Sequence, residues 1–281
     1  MANTAAWTDE DVRLSAIRED GFPVCGYLRG SYLGQGGYAR VYKVLRTETG
    51  QVCAGKTSPD AVKHLRKEAR ILRGLDHPNI VKYVEYYEEE DDPKANILVM
   101  ELCARGSLQE MINNHSDGLS RNSTLQVMNQ VSKAVEYLHK RDRFHGDLKP
   151  RNILIRSWDP IDIVVADCAE RHHGHAGKSD DIWALGITLL GMMGQWPHFV
   201  RKEERQYPRL CATHARNLDK LNPDHEIVQL LLRLLEWDFK KRITAPELVN
   251  VTGELLEERI RVLKVQMDLE VPEGTRTVEF W

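Results

Sequence analysis

Cysteine is scarce and unpatterned in this chain. The five, Cys25, Cys53, Cys103, Cys168 and Cys211, are odd in number, widely spaced, and form no C-x-x-C pair. That argues against a disulfide framework or a cysteine-based zinc site and points to a reducing compartment. Long apolar runs are also missing. The longest stretch free of ionisable groups, Ile182 to Pro197, is shorter than the ~20 residues a bilayer span needs, and it carries Gly, Gln and Pro. The start, MANTAAWTDEDVRL, brings in Asp9, Glu10 and Asp11 where a secretory leader would have a basic residue and an apolar run. A cytoplasmic or nuclear location is therefore expected. Neither sign of charge dominates: 39 Lys and Arg stand against 42 Asp and Glu, a formal net charge of −3. Bulk charge gives no grip on nucleic acid. Neither nucleic acid nor a membrane is expected as a partner.

What is present is ordinary globular material. Of 281 residues, 42% are hydrophobic and 29% charged, enough for one large domain or two lobes around a cleft. The pattern changes near residue 103. Before it come short β-like runs: Tyr27–Leu33, Arg40–Leu45, Gln51–Lys56, Ile80–Tyr86 and Ile97–Leu102, with Thr47–Gly50 as a hairpin turn. One helix interrupts them. Ser58-Pro59-Asp60 gives a cap, a proline start and an acidic first turn; Val62, Leu65, Ala69 and Leu72 follow at helical spacing, and Gly74 supplies a stop. Beyond residue 103 helices dominate. Leu125, Met128, Val131, Val135 and Leu138 mark one, capped by Ser123 or Thr124. Ile182–Met193 is apolar nearly all round and reads as a buried central helix, and Leu256, Ile260, Leu263 and Met267 predict a last helix after Gly253.

Three constellations carry chemistry. The first is Leu33-Gly34-Gln35-Gly36-Gly37-Tyr38-Ala39-Arg40-Val41, a glycine-rich turn between two strands. Such a turn can cradle a phosphate or be a plain hairpin; the strand that follows it argues against dinucleotide binding, which needs a helix there. The second is Lys56, ending a run that includes Val52 and Ala54, with Glu68 on the facing helix as its possible partner. Taken alone the pair could equally be a surface salt bridge. The third and strongest is His145-Gly146-Asp147-Leu148-Lys149-Pro150-Arg151-Asn152. His, Asp, Lys and Asn fall at these fixed offsets by chance on the order of once in 10⁵ windows. The parts make chemical sense together: a carboxylate to accept a hydroxyl proton, a lysine facing a transferring phosphate, and an amide oxygen for a metal. Further on, Ile163-Val164-Val165-Ala166 runs into Asp167, and Asn152 with Asp167 suits Mg²⁺, which takes few carboxylates plus phosphate oxygens and water.

These motifs, in this order, resemble the eukaryotic protein kinase family over about residues 27–250, and the Asp-Leu-Lys-Pro-x-Asn form is similar to its Ser/Thr branch. His77-Pro78-Asn79-Ile80-Val81, Asp181-Ile182-Trp183-Ala184-Leu185-Gly186, Trp196-Pro197-His198-Phe199 and Lys241-Arg242-Ile243-Thr244-Ala245 look like further landmarks. The resemblance implies a bilobal α+β fold: an N-terminal extension over 1–25, a β-rich lobe with one helix over 26–102, a mostly helical lobe over 103–262 and a tail over 263–281. It implies ATP under the glycine-rich residues 33–41 and against Ala54, Lys56 on the α- and β-phosphates with Glu68 holding it, and Met100 behind the adenine. The backbone of Glu101 and Cys103 would meet the purine edge. Asp147 would be the catalytic carboxylate with Lys149 near the γ-phosphate, and Asn152 and Asp167 would hold Mg²⁺. The expected activity is phosphoryl transfer from ATP to Ser/Thr hydroxyls of an unidentified protein substrate. The alternatives are a nucleotide-binding scaffold with a regulatory partner, or a kinase of a non-peptide substrate.

The departures are informative. Ala39 replaces a third glycine. His145-Gly146-Asp147 lacks the family's arginine, and Asp167-Cys168-Ala169 replaces Asp-Phe-Gly. Cys168 would fill less of the core between lobes, at a cost of about 1–3 kcal/mol unless neighbours close in, and Ala169 would switch conformation less readily than glycine. Only residues 170–180 separate Ala169 from Asp181, so the long phosphorylatable segment and its Ala-Pro-Glu motif are absent. The missing arginine and the missing segment agree: regulation by phosphorylation there is not expected. Arg242 then needs a new carboxylate, with Glu170 or Asp181 as candidates. His172, His173 and His175 lie in the short replacement and read as an exposed polar loop before a metal or anion site. Cys103 and Cys168 read as buried, inert thiols before redox sensors. Phe280-Trp281 could dock on the small lobe or on a partner.

Overall fold

The structure, a computed structural model, describes Thr8, Asp11 and residues 26–36, 39–89, 96–168, 177–197 and 206–270, with side chains up to Val262. Gly37, Tyr38, Ala169, Glu170, the three histidines at 172, 173 and 175, His198-Phe199 and Phe280-Trp281 lie outside the described residues.

Alternating apolar runs and a tight turn build the first lobe. β1 (Tyr27–Gln35), β2 (Arg40–Arg46) and β3 (Val52–Thr57) are antiparallel neighbours, and β4 (Tyr83–Tyr87) and β5 (Ile97–Glu101) complete a five-stranded sheet in the order β1-β2-β3-β5-β4. The turn at 47–50 is the expected one: Gly50 N–H donates to Arg46 O at 2.8 Å, and Gly50 takes φ +69°. The two-residue period divides the sheet. Val44, Cys53, Ile97 and Val99 form a small outer cluster with Tyr27, whereas Leu98 and Met100 join the main core.

α1 (Val62–Arg73) packs Leu65, Ala69 and Leu72 against the sheet, as its period predicts, and ends at Gly74. Its start differs from expectation. Ser58 makes no side-chain cap bond, because Pro59–Ala61 forms a 3₁₀ turn between it and the helix. The predicted strand at Ile80 also begins late, at Tyr83. Residues 79–81 are taken by another partner: Val81 N–H donates to Val165 O and Val165 N–H to Asn79 O, each at 2.9 Å.

The second lobe is mostly helical: α2 (Leu108–Asn113), α3 (Arg121–His139), α4 (Gly177–Met192), α5 (Tyr207–Leu221), α6 (Glu226–Leu234) and α7 (Ala245–Glu270), with the hairpin β6 (Ile153–Trp158) and β7 (Ile161–Val165). α3 begins a turn earlier than expected, capped by Ser120, whose Oγ accepts the Ser123 N–H at 3.1 Å. α4 is the buried central helix. At Gly186 it meets the end of α6 so closely that a Cβ would lie 2.5 Å from Leu235 Cδ2. α7 does not start after Gly253 but runs unbroken through it and past residue 262, packed on α3 through Asn129, whose Nδ2 donates to Thr252 Oγ1 at 3.0 Å. The chain is therefore bilobal α+β, with Glu101 leading from the sheet into the helical lobe.

Asp11 is an unexpected anchor. It is fully buried, accepts the Lys43 ammonium at 2.7 Å and the Ser31 N–H at 2.9 Å, and caps its own turn through the Thr8 N–H and hydroxyl. The N-terminal extension is thereby fastened to both β1 and β2.

Candidate functional site

Lys56 sits opposite Val41 on β2 and Leu98 on β5, two residues from Ala54 on the same face of β3. Its ammonium meets Glu68 Oε1 at 2.8 Å and Oε2 at 2.7 Å, and it also donates to Asp167 Oδ1. One cation is thus shared by two carboxylates. Burial opposes the charge on Lys56, but Glu68 and Asp167 together hold its pKa above the ordinary value. Burial pushes the Glu68 carboxyl up, beyond what Lys56 recovers. For Asp167, burial is outweighed by Lys56, and its carboxyl stays below the usual range. Of the two carboxylates, Asp167 is the one held in its charged form, and so the one suited to a cation.

Asp167 arrives there through the 79–81 splice. β7 is bonded to the segment that follows α1, so the residue just beyond β7 faces Glu68 on α1. Asp167 takes φ +64°, a conformation that L-residues rarely adopt and that its surroundings must enforce. Ala166, just before it, donates N–H to Asn152 O at 2.8 Å, which brings the two expected metal ligands together.

The loop before β6 is built around Asp181, the buried start of α4. Its carboxylate accepts the His145 N–H at 2.8 Å, the Gly146 N–H at 2.9 Å and the His139 ring N–H at 2.9 Å. The His145 ring donates from Nε2 to Ala166 O at 2.8 Å and accepts the Asp147 N–H on Nδ1 at 3.2 Å. Gly146 sits at φ +75°, where a side chain would be strained. The residue replacing the family's arginine therefore suits its backbone. Asp147 faces Lys149 at 2.7 Å, and Asn152 Nδ2 donates to Asp147 O at 2.8 Å. This turns Asn152 Oδ1 to the opposite side as an acceptor. An amide oxygen and one carboxylate match what Mg²⁺ takes when phosphate and water complete its shell.

The remaining expected residues frame a cleft. Ala54 and Met100 are opposite each other in the β3–β5 ladder and buried. Glu101 N–H is spent on Lys82 O at 3.0 Å, so a contribution to a purine would come from its carbonyl. Cys103 is half-buried. Leu33 is exposed beside Gly34, and a Cβ on Gly34 would meet nothing within 4 Å. Neither Gly34 nor Gly36 has a positive φ. Among the described residues their lack of a side chain serves no packing need; it leaves open space where a phosphate could approach. Gln35, Gly36 and Arg40 are exposed, Ala39 is buried and Val41 half-buried.

One expectation changes and one holds. Arg242 does not pair with Asp181, whose oxygens are taken by the His139 ring and the loop N–H groups. Among the described residues its guanidinium bonds carbonyls and a hydroxyl instead: Glu236 O at 2.9 Å, Ser179 O at 2.8 Å and Ser179 Oγ at 2.9 Å, with the Trp183 ring 4.8 Å away; Glu170, the other candidate, lies outside the described residues. Cys168 is 4% exposed and joins the main core. Burial pushes its thiol up to about 12, helped by Glu68 and Asp167; burial and the Glu101 charge do the same to Cys103. Sequence reasoning missed the roles of Asp11 and Arg156, each held by partners remote along the chain and carried by no local motif. Asn79 lies within the His77–Val81 landmark, but its side-chain bonds to Gln130 and to Ile163 O were not foreseen.

The chain matches the family model "Protein kinase domain" over residues 27–168. It is 30% identical to calcium-dependent protein kinase 5 of Plasmodium berghei (78% of this chain, 44% of that one) and 27% identical to serine/threonine-protein kinase 33 of Mus musculus (82% and 55%). It is 28% identical to Aurora kinase of Saccharomyces cerevisiae (76% and 65%). The chain spans about half the length of these curated relatives. Among solved structures, its fold resembles Rad53 1–466 in complex with AMP-PNP, with a TM-score of 0.68 and 23% identity over 80% of this chain and 64% of that one.

Proposed function

Since the chain belongs to the protein kinase family, we propose that it is an ATP- and Mg²⁺-dependent kinase that transfers the γ-phosphoryl group to Ser/Thr hydroxyls. The observation that carries this reading is Lys56 between Glu68 and Asp167, with Asp147 and Asn152 tied to the same loop. Mg²⁺, when bound by Asn152 and Asp167, would neutralise phosphate charge. Lys56 orients the phosphates, and Glu68 fixes Lys56. Asp147 aligns the acceptor hydroxyl and takes its proton, and Lys149 faces the transferring group. Positioning and fixed charge supply most of the rate in this chemistry.

Control by phosphorylation between Ala169 and Asp181 has no place in this reading, because both the segment and the arginine that would read it are absent from the sequence. Purified protein with Mg²⁺ and labelled ATP should phosphorylate itself or a generic Ser/Thr substrate. Asp147→Asn should lower that transfer by at least about 10³-fold and still bind ATP. Nucleotide binding with no transfer to any acceptor would instead identify a scaffold, and transfer confined to a small molecule would identify a non-peptide kinase.

A further inference from the structure

Arg156, in β6, belongs to none of the motifs above, yet its guanidinium makes bonds to three separate residues near the cleft. Its guanidinium grips Glu101 with two prongs: Nε donates to Oε2 at 2.9 Å and Nη2 to Oε1 at 2.8 Å. Nη1 donates to Pro78 O at 2.7 Å and reaches Asp162 Oδ1 at 3.5 Å. Glu101 Oε1 also accepts the Lys82 N–H at 2.7 Å. One side chain thus joins the last residue of β5, the loop after α1 and the β6–β7 hairpin. Both partners are about a quarter exposed, enough removed from water for a two-pronged contact to hold direction as well as distance.

The segment after Glu101 is tied to the same strand. Ile155 N–H donates to Gly106 O at 2.9 Å, Arg105 N–H to Ile155 O at 3.3 Å, and Ser107 bridges to Leu154. β6 is therefore a rail along which residues 101–107 are fastened, and Arg156 holds its first point. Glu101 follows Met100 directly. Holding both carboxylate oxygens of Glu101, together with its N–H on Lys82 O, narrows the turn open to the backbone that the proposed function places against the purine.

We infer that Arg156 is a positioning residue for the purine: by clamping the Glu101 carboxylate, it aims the connector backbone at the adenine edge. The inference rests on the nucleotide-binding reading above. It assigns Arg156 to base recognition and not to the phosphates, and a merely structural role would not make that distinction.

The test compares calorimetric Kd values for adenosine, ATP and inorganic tripolyphosphate, each with Mg²⁺. Arg156→Gln should weaken adenosine and ATP by the same factor, about tenfold, and leave tripolyphosphate unchanged. Arg156→Lys, which keeps the charge but cannot fork, should recover only part of that loss. It also carries the comparison should the glutamine variant not fold. Glu101→Gln combined with Arg156→Gln should lose no more than Arg156→Gln alone. Unchanged adenosine binding in a folded variant, an equal loss for tripolyphosphate, or additive losses in the double variant would each overturn the inference. A wild-type chain that binds none of the three overturns the proposed function and this inference with it. A wild-type chain that binds adenosine no better than the variant does overturns this inference alone.

Discussion

Lys56 shows how one side chain can hold a site together. Replacing it with Met leaves Glu68 and Asp167 facing each other with no cation between them. The expected outcome is loss of phosphoryl transfer and ATP affinity weakened by at least tenfold, read by calorimetry. The thiols give a second test at this scale. With Cys103 and Cys168 pushed up to about 12, the thiolate fraction near neutral pH is roughly 10³-fold below that of an ordinary cysteine. Alkylation followed by mass spectrometry should mark both far more slowly in the folded chain than after denaturation; equal rates would contradict the burial. Asp147 and Asn152 were legible because they belong to a motif whose spacing is fixed by the chemistry, whereas Lys56 and Glu68, taken alone, read equally as a surface pair and gained meaning only beside that motif. Arg242 was legible only as a problem. Two of its new partners are main-chain carbonyls, which leave no trace in residue identities, and the third is the Ser179 hydroxyl.

Among the elements, α4 lies close against the end of α6. At Gly186 a Cβ would stand 2.5 Å from Leu235 Cδ2 and 2.8 Å from its Cγ. Gly186→Ala must push α6 away or force Leu235 off its rotamer, at about 1–3 kcal/mol, and should lower the melting temperature by several degrees. The helix periods were readable because apolar faces must be buried against something. Starts and joins were less so. Ser58 looks like a cap, but the 3₁₀ turn after it takes up the chain, and Ile80 looks like part of β4 until β7 claims its neighbours' hydrogen bonds. Those outcomes depend on competition between distant backbone groups.

For the molecule as a whole, the two lobes are coupled by Lys56 with Asp167, by residues 79–81 with Val165, and by Glu101 with Arg156. Saturating ATP and Mg²⁺ at a hundred times Kd should add about 2.7 kcal/mol of stability, visible as a raised melting temperature. The N-terminal anchor adds a pH dependence. Burial works against the charge of Asp11, but the Lys43 ammonium and the Thr8 and Ser31 N–H groups outweigh it and hold its carboxyl below the ordinary value. A depressed folded pKa stabilises fully above the unfolded value near 4 and fades as pH falls towards the folded one. The gap in melting temperature between wild type and Asp11→Asn should therefore be constant from pH 5 upwards and shrink below about pH 4. The sequence foretold the bilobal plan because its patterns change character near residue 103, but Asp9, Glu10 and Asp11 were weighed there only against a secretory leader, and nothing in them marks Asp11 as an anchor. That hidden contact bears on anyone who trims the chain for crystallography or screening. Cutting at residue 27, where the family match starts, would remove the Asp11 carboxylate from Lys43 and Ser31, so a fragment meant to keep that contact has to include Thr8.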